Sequence, residues 1–227
     1  MKYYKRYYNI IILVIVTCFI MAYIEVIITP PYFVKSLIKL LLFFLVPIIY
    51  SNMNKGIHLK DILNFKLKPF LISLLIGIGV YAVILGGYIL LENQLNLSFL
   101  PNLLENNIGV NKNNFILVAL YITFVNSFLE EFFFRGFAYF SLKNISSEKT
   151  ANIFSALSFA LYHVAIIDGW FSLTATFIII ISLFASGLFF NYLNKKNNSI
   201  FPSWIIHIFA NLAINTIGVY LFQLLGA

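Results

Sequence analysis

Three apolar stretches carry residues whose types and spacing suit hydrolysis, and a fourth holds further charges. N-S-F-L-E-E-F-F-F-R-G places Glu130, Glu131 and Arg135 at the end of one hydrophobic run. S-F-A-L-Y-H places Phe159 and His163 in the next, and W-I-I-H-I-F-A-N places His207 and Asn211 at the start of the last. Glu25, Lys35 and Lys39 form the fourth set. A charge inside a bilayer costs at least roughly 2.5–3.5 kcal/mol on insertion scales, so each one calls for a reason. A carboxylate beside an imidazole can take a proton from water and pass it to a leaving amine. A second imidazole and an amide N–H can donate to a developing oxyanion. Asn211 is a good donor and a poor zinc ligand, which assigns it to the oxyanion.

Helical geometry separates the adjacent glutamates. Consecutive side chains point about 100° apart, whereas residues four apart share a face. Glu131 and Arg135 can therefore pair and hold the helix end. Glu130, four residues after Asn126, lies on another stripe and is free to meet a different helix. Phe159 and His163 also stand four apart, and His207, Asn211 and Asn215 make a polar stripe on an otherwise apolar helix. Each stretch alone also fits a bland role, as interfacial charge or as interhelical hydrogen bonding. A Glu–His–His set would also admit Zn²⁺ with an open position for water. No H-E-x-x-H, G-x-S-x-G, Walker loop or G-x-G-x-x-G occurs. A proton-relay transporter would be expected to show internal symmetry, and none is visible.

These residues need membrane helices to position them. Of 227 residues, 61% are hydrophobic and 10% charged, with a mean hydropathy of +0.93. Soluble domains carry about 25% charged residues, so the composition implies lipid as solvent. The net charge of +7 then marks a membrane face rather than a nucleic-acid partner. The lone Cys18 excludes a disulfide framework or thiolate metal cluster. A helix needs about 20 apolar residues to cross the hydrocarbon. Segments 9–29, 33–50, 70–91, 115–134, 149–167, 171–191 and 202–225 meet that demand, the last with a candidate break near Gly218. The expected fold is an all-α polytopic transmembrane bundle of about seven spans, with eight as the alternative, in a single domain over 1–227. The first span reads as a retained anchor rather than a cleaved signal peptide.

Basic residues orient this layout. A cytoplasmic N-terminus places Lys2, Lys5, Arg6, Lys55, Lys60, Lys66, Lys68, Arg135, Lys143, Lys149, Lys195 and Lys196 inside, twelve of the 15 in the chain, as the positive-inside tendency favours. Only Lys112 falls in an outer connection, while Lys35 and Lys39 lie within the second span. On this layout Glu130 sits near the cytoplasmic end of its span and His207 roughly 8 Å inside. His163 comes out roughly 21 Å deep, beyond reach of the others unless its helix projects into the cytoplasm. Glu25 and Lys39 are expected to pair across the first two spans, with Lys35 snorkelling to the interface.

E-E-x-x-x-R, F-x-x-x-H and H-x-x-x-N, in that order on separate helices, resemble the CPBP family of CAAX prenyl endopeptidases and bacteriocin-processing (Abi) membrane proteases. The matching residues are Glu130, Glu131 and Arg135, then Phe159 and His163, then His207 and Asn211, within a catalytic region at about 115–220. The resemblance implies an intramembrane endopeptidase of the cell membrane whose site opens to the cytoplasm. It implies that Glu130 and His163 activate water and that His207 and Asn211 form the oxyanion site, with Glu131, Arg135 and Phe159 in support. The expected substrates are peptides or lipidated proteins held by membrane lipid: prenylated, leader-type or pheromone-precursor chains. No cofactor is expected, Zn²⁺ being the disfavoured option. The alternative is a non-catalytic bacteriocin-immunity or scaffold protein.

Overall fold

A computed structural model describes residues 2–54 and 59–224, with side chains from residue 5 onwards. Lys55 lies outside the described residues, as does the side chain of Lys2; both were assigned above to the cytoplasmic face. The described chain is helical, without strands. The helices are α1 (Lys5–Ile28), α2 (Tyr32–Met53), α3 (Leu67–Leu95), α4 (Leu100–Ile108), α5 (Phe115–Lys143), α6 (Glu148–Ile166), α7 (Leu173–Asn197) and α8 (Phe201–Leu221). All except α4 and α6 are long and apolar enough to cross a membrane. This is a membrane protein. Helix α6 occupies the fifth expected span. It has 19 residues, but Glu148, Lys149, Asn152 and His163 lower its apolarity, and it packs against α5, α7 and α1.

Local chemistry sets the breaks. Thr29 takes a left-handed conformation (φ 43°) before Pro30-Pro31, which turns α1 into α2. Gly109 (φ 71°) ends α4; its N–H bonds to Glu105 O, and Val110 N–H reaches back six residues to Leu104 O. Ser147 and Ser172 cap α6 and α7, accepting from the N–H groups of Thr150 and Ala175. Helix α8 runs unbroken past Gly218, where a Cβ would collide with the Phe115 ring. The break considered at this glycine therefore does not occur.

Helix α5 differs most from expectation. It continues nine residues beyond position 134, to Lys143. Arg135 signalled an interface, but every residue from Leu129 to Leu142 is buried in protein, so neighbouring helices replace the lipid. Phe43 of α2 stacks on Phe133 at 4.3 Å, and Phe134 meets Phe159 and Tyr162 of α6. Two stretches of α5, Tyr121–Asn126 and Glu131–Phe140, form wide turns with i→i+5 bonding on either side of Glu130. Such turns are frequent at functional sites. Elsewhere small residues permit close approach: α7 passes α6 where Gly187 faces Ala156, and a Cβ there would fall 2.9 Å from the Ala156 Cα.

Candidate active site

Glu130 lies midway along α5, and only 2% of it is exposed. Its side chain meets three other helices. Oε1 accepts from Lys39 Nζ of α2 at 2.6 Å and from Asn126 Nδ2, one turn earlier, at 3.0 Å. Oε2 faces His163 Nε2 of α6 at 3.8 Å and His207 Nε2 of α8 at 3.7 Å. Those separations exceed a hydrogen bond, and polar groups at such range are commonly bridged by water.

The imidazoles are oriented from behind. His163 Nδ1 stands 2.7 Å from Phe159 O, a carbonyl that can only accept, so Nδ1 carries the proton. The lone pair of neutral His163 is then at Nε2, facing Glu130. His207 Nδ1 stands 3.0 Å from Glu131 Oε1, which makes it a donor by the same logic. Phe159 also packs edge-on against both imidazole rings.

Glu131 anchors the far side. Oε1 pairs with Arg135 Nη1 at 3.2 Å, as the four-residue spacing requires, and Oε2 accepts from Ser203 Oγ at 2.5 Å. Ser203 accepts in turn from Asn194 Nδ2. The fully buried Arg135 guanidinium lies 3.9 Å from the Phe159 ring centroid and 5.1 Å from that of Phe190. Two carboxylates and two cations, Lys39 and Arg135, thus sit together in the interior. Their charges cancel, as buried charges must.

Asn211 reaches the same cavity one turn beyond His207. Its Nδ2 donates to Ile122 O of α5 at 3.1 Å, and Asn215 below it donates to Ala119 O and Thr123 Oγ1. One Asn211 N–H therefore ties α8 to α5 and the second remains for a ligand.

The depth conflict over His163 dissolves. Glu130 lies 13 residues before the end of α5 at Lys143, about 20 Å, so both groups are deep. Helix α8 meets them because its start lies inside the fold. Ser199, Ile200 and Ser203 are buried there, and Ile200 N–H bonds to Ile62 O.

The expected Glu25–Lys39 pair does not form. Glu25 binds Lys35 at 2.6 Å, and Lys39 binds Glu130. Lys35 lies closest to the Thr29–Pro31 turn that brings α1 alongside α2, so it meets Glu25 first. Lys39 lies one turn further, level with Glu130. Lys35 does not snorkel either, being only 5% exposed. An intramembrane lysine is a functional-site candidate by default; its pairing with Glu130, 91 residues away, has no signal in local spacing.

Among the described residues no three His, Cys, Asp or Glu side chains form a metal-binding group. Lys39 already supplies Glu130 with its positive charge, and a divalent ion on Glu130, His163 and His207 would have to displace or oppose that ammonium. The donor set is a poor fit for Zn²⁺.

The site lines a cavity of about 930 Å³. Glu130, His163, His207 and Asn211 all border it, and exposed Asn106, Asn107 and Asp168 stand at its other end. That end belongs to the connections after α3 and α6. The described residues of the basic connections after α2, α5 and α7 do not border it. Among the described residues the cavity thus leads away from the basic connections, on whose side buried aromatic residues of α5 lie.

Residues 112–213 match the family model described as type II CAAX prenyl endopeptidase Rce1-like, in agreement with the resemblance carried by the three motifs. That is a protease family, and the match takes in every site residue except Lys39. No curated protein and no solved structure matches the chain.

Proposed function

We propose that the chain is an intramembrane endopeptidase that hydrolyses peptide bonds with water activated by Glu130 and His163. The observation that carries this reading is the convergence of Glu130 Oε2 with His163 Nε2 and His207 Nε2, at 3.8 and 3.7 Å, on one cavity. A water donating to Glu130 Oε2 and His163 Nε2 gives up a proton as its oxygen attacks the scissile carbonyl carbon. The resulting oxyanion accepts from the free Asn211 N–H and from His207, whose imidazolium form presents Nε2–H while Nδ1–H stays on Glu131. The abstracted proton passes to the leaving amine as the C–N bond breaks, leaving a carboxylic acid and an amine.

Substrates of the CAAX class carry a lipid and a peptide on one molecule, and the membrane concentrates them at such a site. Leader-type and pheromone-precursor peptides share that character. In this reading the protein lies in the cell membrane with its basic face cytoplasmic. The cavity mouth at Asn106 and Asp168 then faces outward.

Reconstituted protein tests the reading. Cleavage of lipidated and leader-type peptides is expected to be lost in His163→Ala and His207→Ala and reduced in Asn211→Ala, and to be unaffected by a chelator. Loss on chelation with recovery on adding Zn²⁺ would move the same residues into a metal site. Full activity in His163→Ala would remove the water-activating role, and cleavage of no peptide would favour an immunity or scaffold protein.

A further inference from the structure

Lys39 lies outside the residues 112–213 of the family match and outside all three motifs. It is nonetheless the group closest to Glu130 from another helix. Its Nζ stands 2.6 Å from Glu130 Oε1 and 2.5 Å from Asn126 Oδ1, and Asn126 Nδ2 donates to the same Oε1 at 3.0 Å. The three side chains close a ring. The ammonium is also 4.9 Å from the Tyr162 ring centroid and 5.3 Å from that of Phe43. Aromatic faces therefore hold its remaining side, and Lys39 is 6% exposed.

A carboxylate on a flexible side chain has two equivalent oxygens and can turn either towards a partner. Here the two differ: Oε1 takes both donors, and Oε2 is left with the two imidazoles. We infer that Lys39, with Asn126, is a positioning residue that pins Glu130 Oε1 so that Oε2 alone faces His163 and His207. The inference rests on Glu130 acting as the base. Lys39 touches neither imidazole and acts through the carboxylate. Without the clamp the carboxylate is free to rotate, and misplacement of a reacting group by about 1 Å can cost on the order of a hundredfold in rate. The loss falls on kcat, because substrate contacts elsewhere in the cavity persist.

The test uses full-length protein in liposomes, in a Cys18→Ser background, with a peptide that the parent cleaves. Loss of cleavage in Glu130→Gln establishes the base independently, so failure of that reading and failure of this inference are separate results. Lys39→Cys is then alkylated either with 2-bromoethylamine, which rebuilds the length and charge of lysine, or with 1-iodopropane, which rebuilds the length alone. Mass measurement confirms each modification.

The expected result is a kcat about a hundredfold lower in Lys39→Cys with KM little changed. The aminoethyl group should restore most of the rate and the propyl group none. Recovery with both reagents, or with neither, would overturn the inference, as would an unmodified Lys39→Cys with parental kcat. Lys39→Met leaves Glu130 without its counter-charge and can lower the yield of folded protein. The Lys39→Met, Glu130→Gln pair removes both charges and should regain the parental unfolding temperature; failure to do so would count against a direct Lys39–Glu130 linkage.

Discussion

Glu131 holds Nδ1 of His207 at 3.0 Å, while the residue before it in the chain faces Nε2 of the same ring. Two consecutive carboxylates therefore address opposite edges of one imidazole. Their directions differ by about 100° on a helix, and α8 passes between them at the level where both can reach. The E-E pair thus supplies one carboxylate to the cavity and one to the support behind it.

Removing the charge of Glu131 should damage folding rather than chemistry alone. Arg135 is fully buried, and loss of its partner leaves an uncompensated charge, a change worth about 3–5 kcal/mol. Glu131→Gln is expected to lower the unfolding temperature in detergent and the abundance in membranes. Adding Arg135→Met should recover much of the loss. A Glu131→Gln protein as stable as the parent would show that the pair contributes little.

Close approach of α6 and α7 fixes His163 two turns beyond Ala156. A Cβ at Gly187 would lie 2.9 Å from both the Cα and Cβ of Ala156, and neither can yield without moving α6. Gly187→Leu is expected to destabilise by about 1–3 kcal/mol and to lower cleavage, with Gly187→Ala milder on both counts. Thermal scanning alongside a peptide assay checks this, and unchanged unfolding in Gly187→Leu would contradict it.

The face at which the cavity opens is open to chemical labelling. In a Cys18→Ser background, Asn106→Cys at the mouth should react with an impermeant maleimide added to intact cells. Asn144→Cys, in the basic connection after α5, should react only after permeabilisation. The reverse pattern would place the mouth on the cytoplasmic side.

Much of this arrangement is legible in the sequence. The spacing of Glu131 and Arg135 identified a pair within one helix and left Glu130 for another, and both features are present. The all-helical membrane bundle followed from the apolar runs. Depth was harder to read. In sequence Arg135 resembles an interfacial charge, which places the end of α5 at 134 and His163 out of reach, whereas the helix runs on to Lys143. The wide turns at Tyr121–Asn126 and Glu131–Phe140 have no sequence signature to announce them. Lys39 is anomalous in sequence and pairs with Glu130, although proximity in the chain favours Glu25 as its partner. Which of two lysines one turn apart meets that glutamate depends on the left-handed Thr29 and the packing of α1 on α2, which local spacing does not encode.

The most direct test of the account is the turnover of one quenched-fluorescent lipidated peptide by wild type and Glu130→Gln in the same liposomes. The substitution keeps the side-chain shape and an oxygen acceptor for Lys39 and Asn126 but removes the base. The account predicts loss of at least about a hundredfold in kcat per folded, inserted molecule, in keeping with the range for general-base catalysis. Cleavage by Glu130→Gln at the wild-type rate would contradict it.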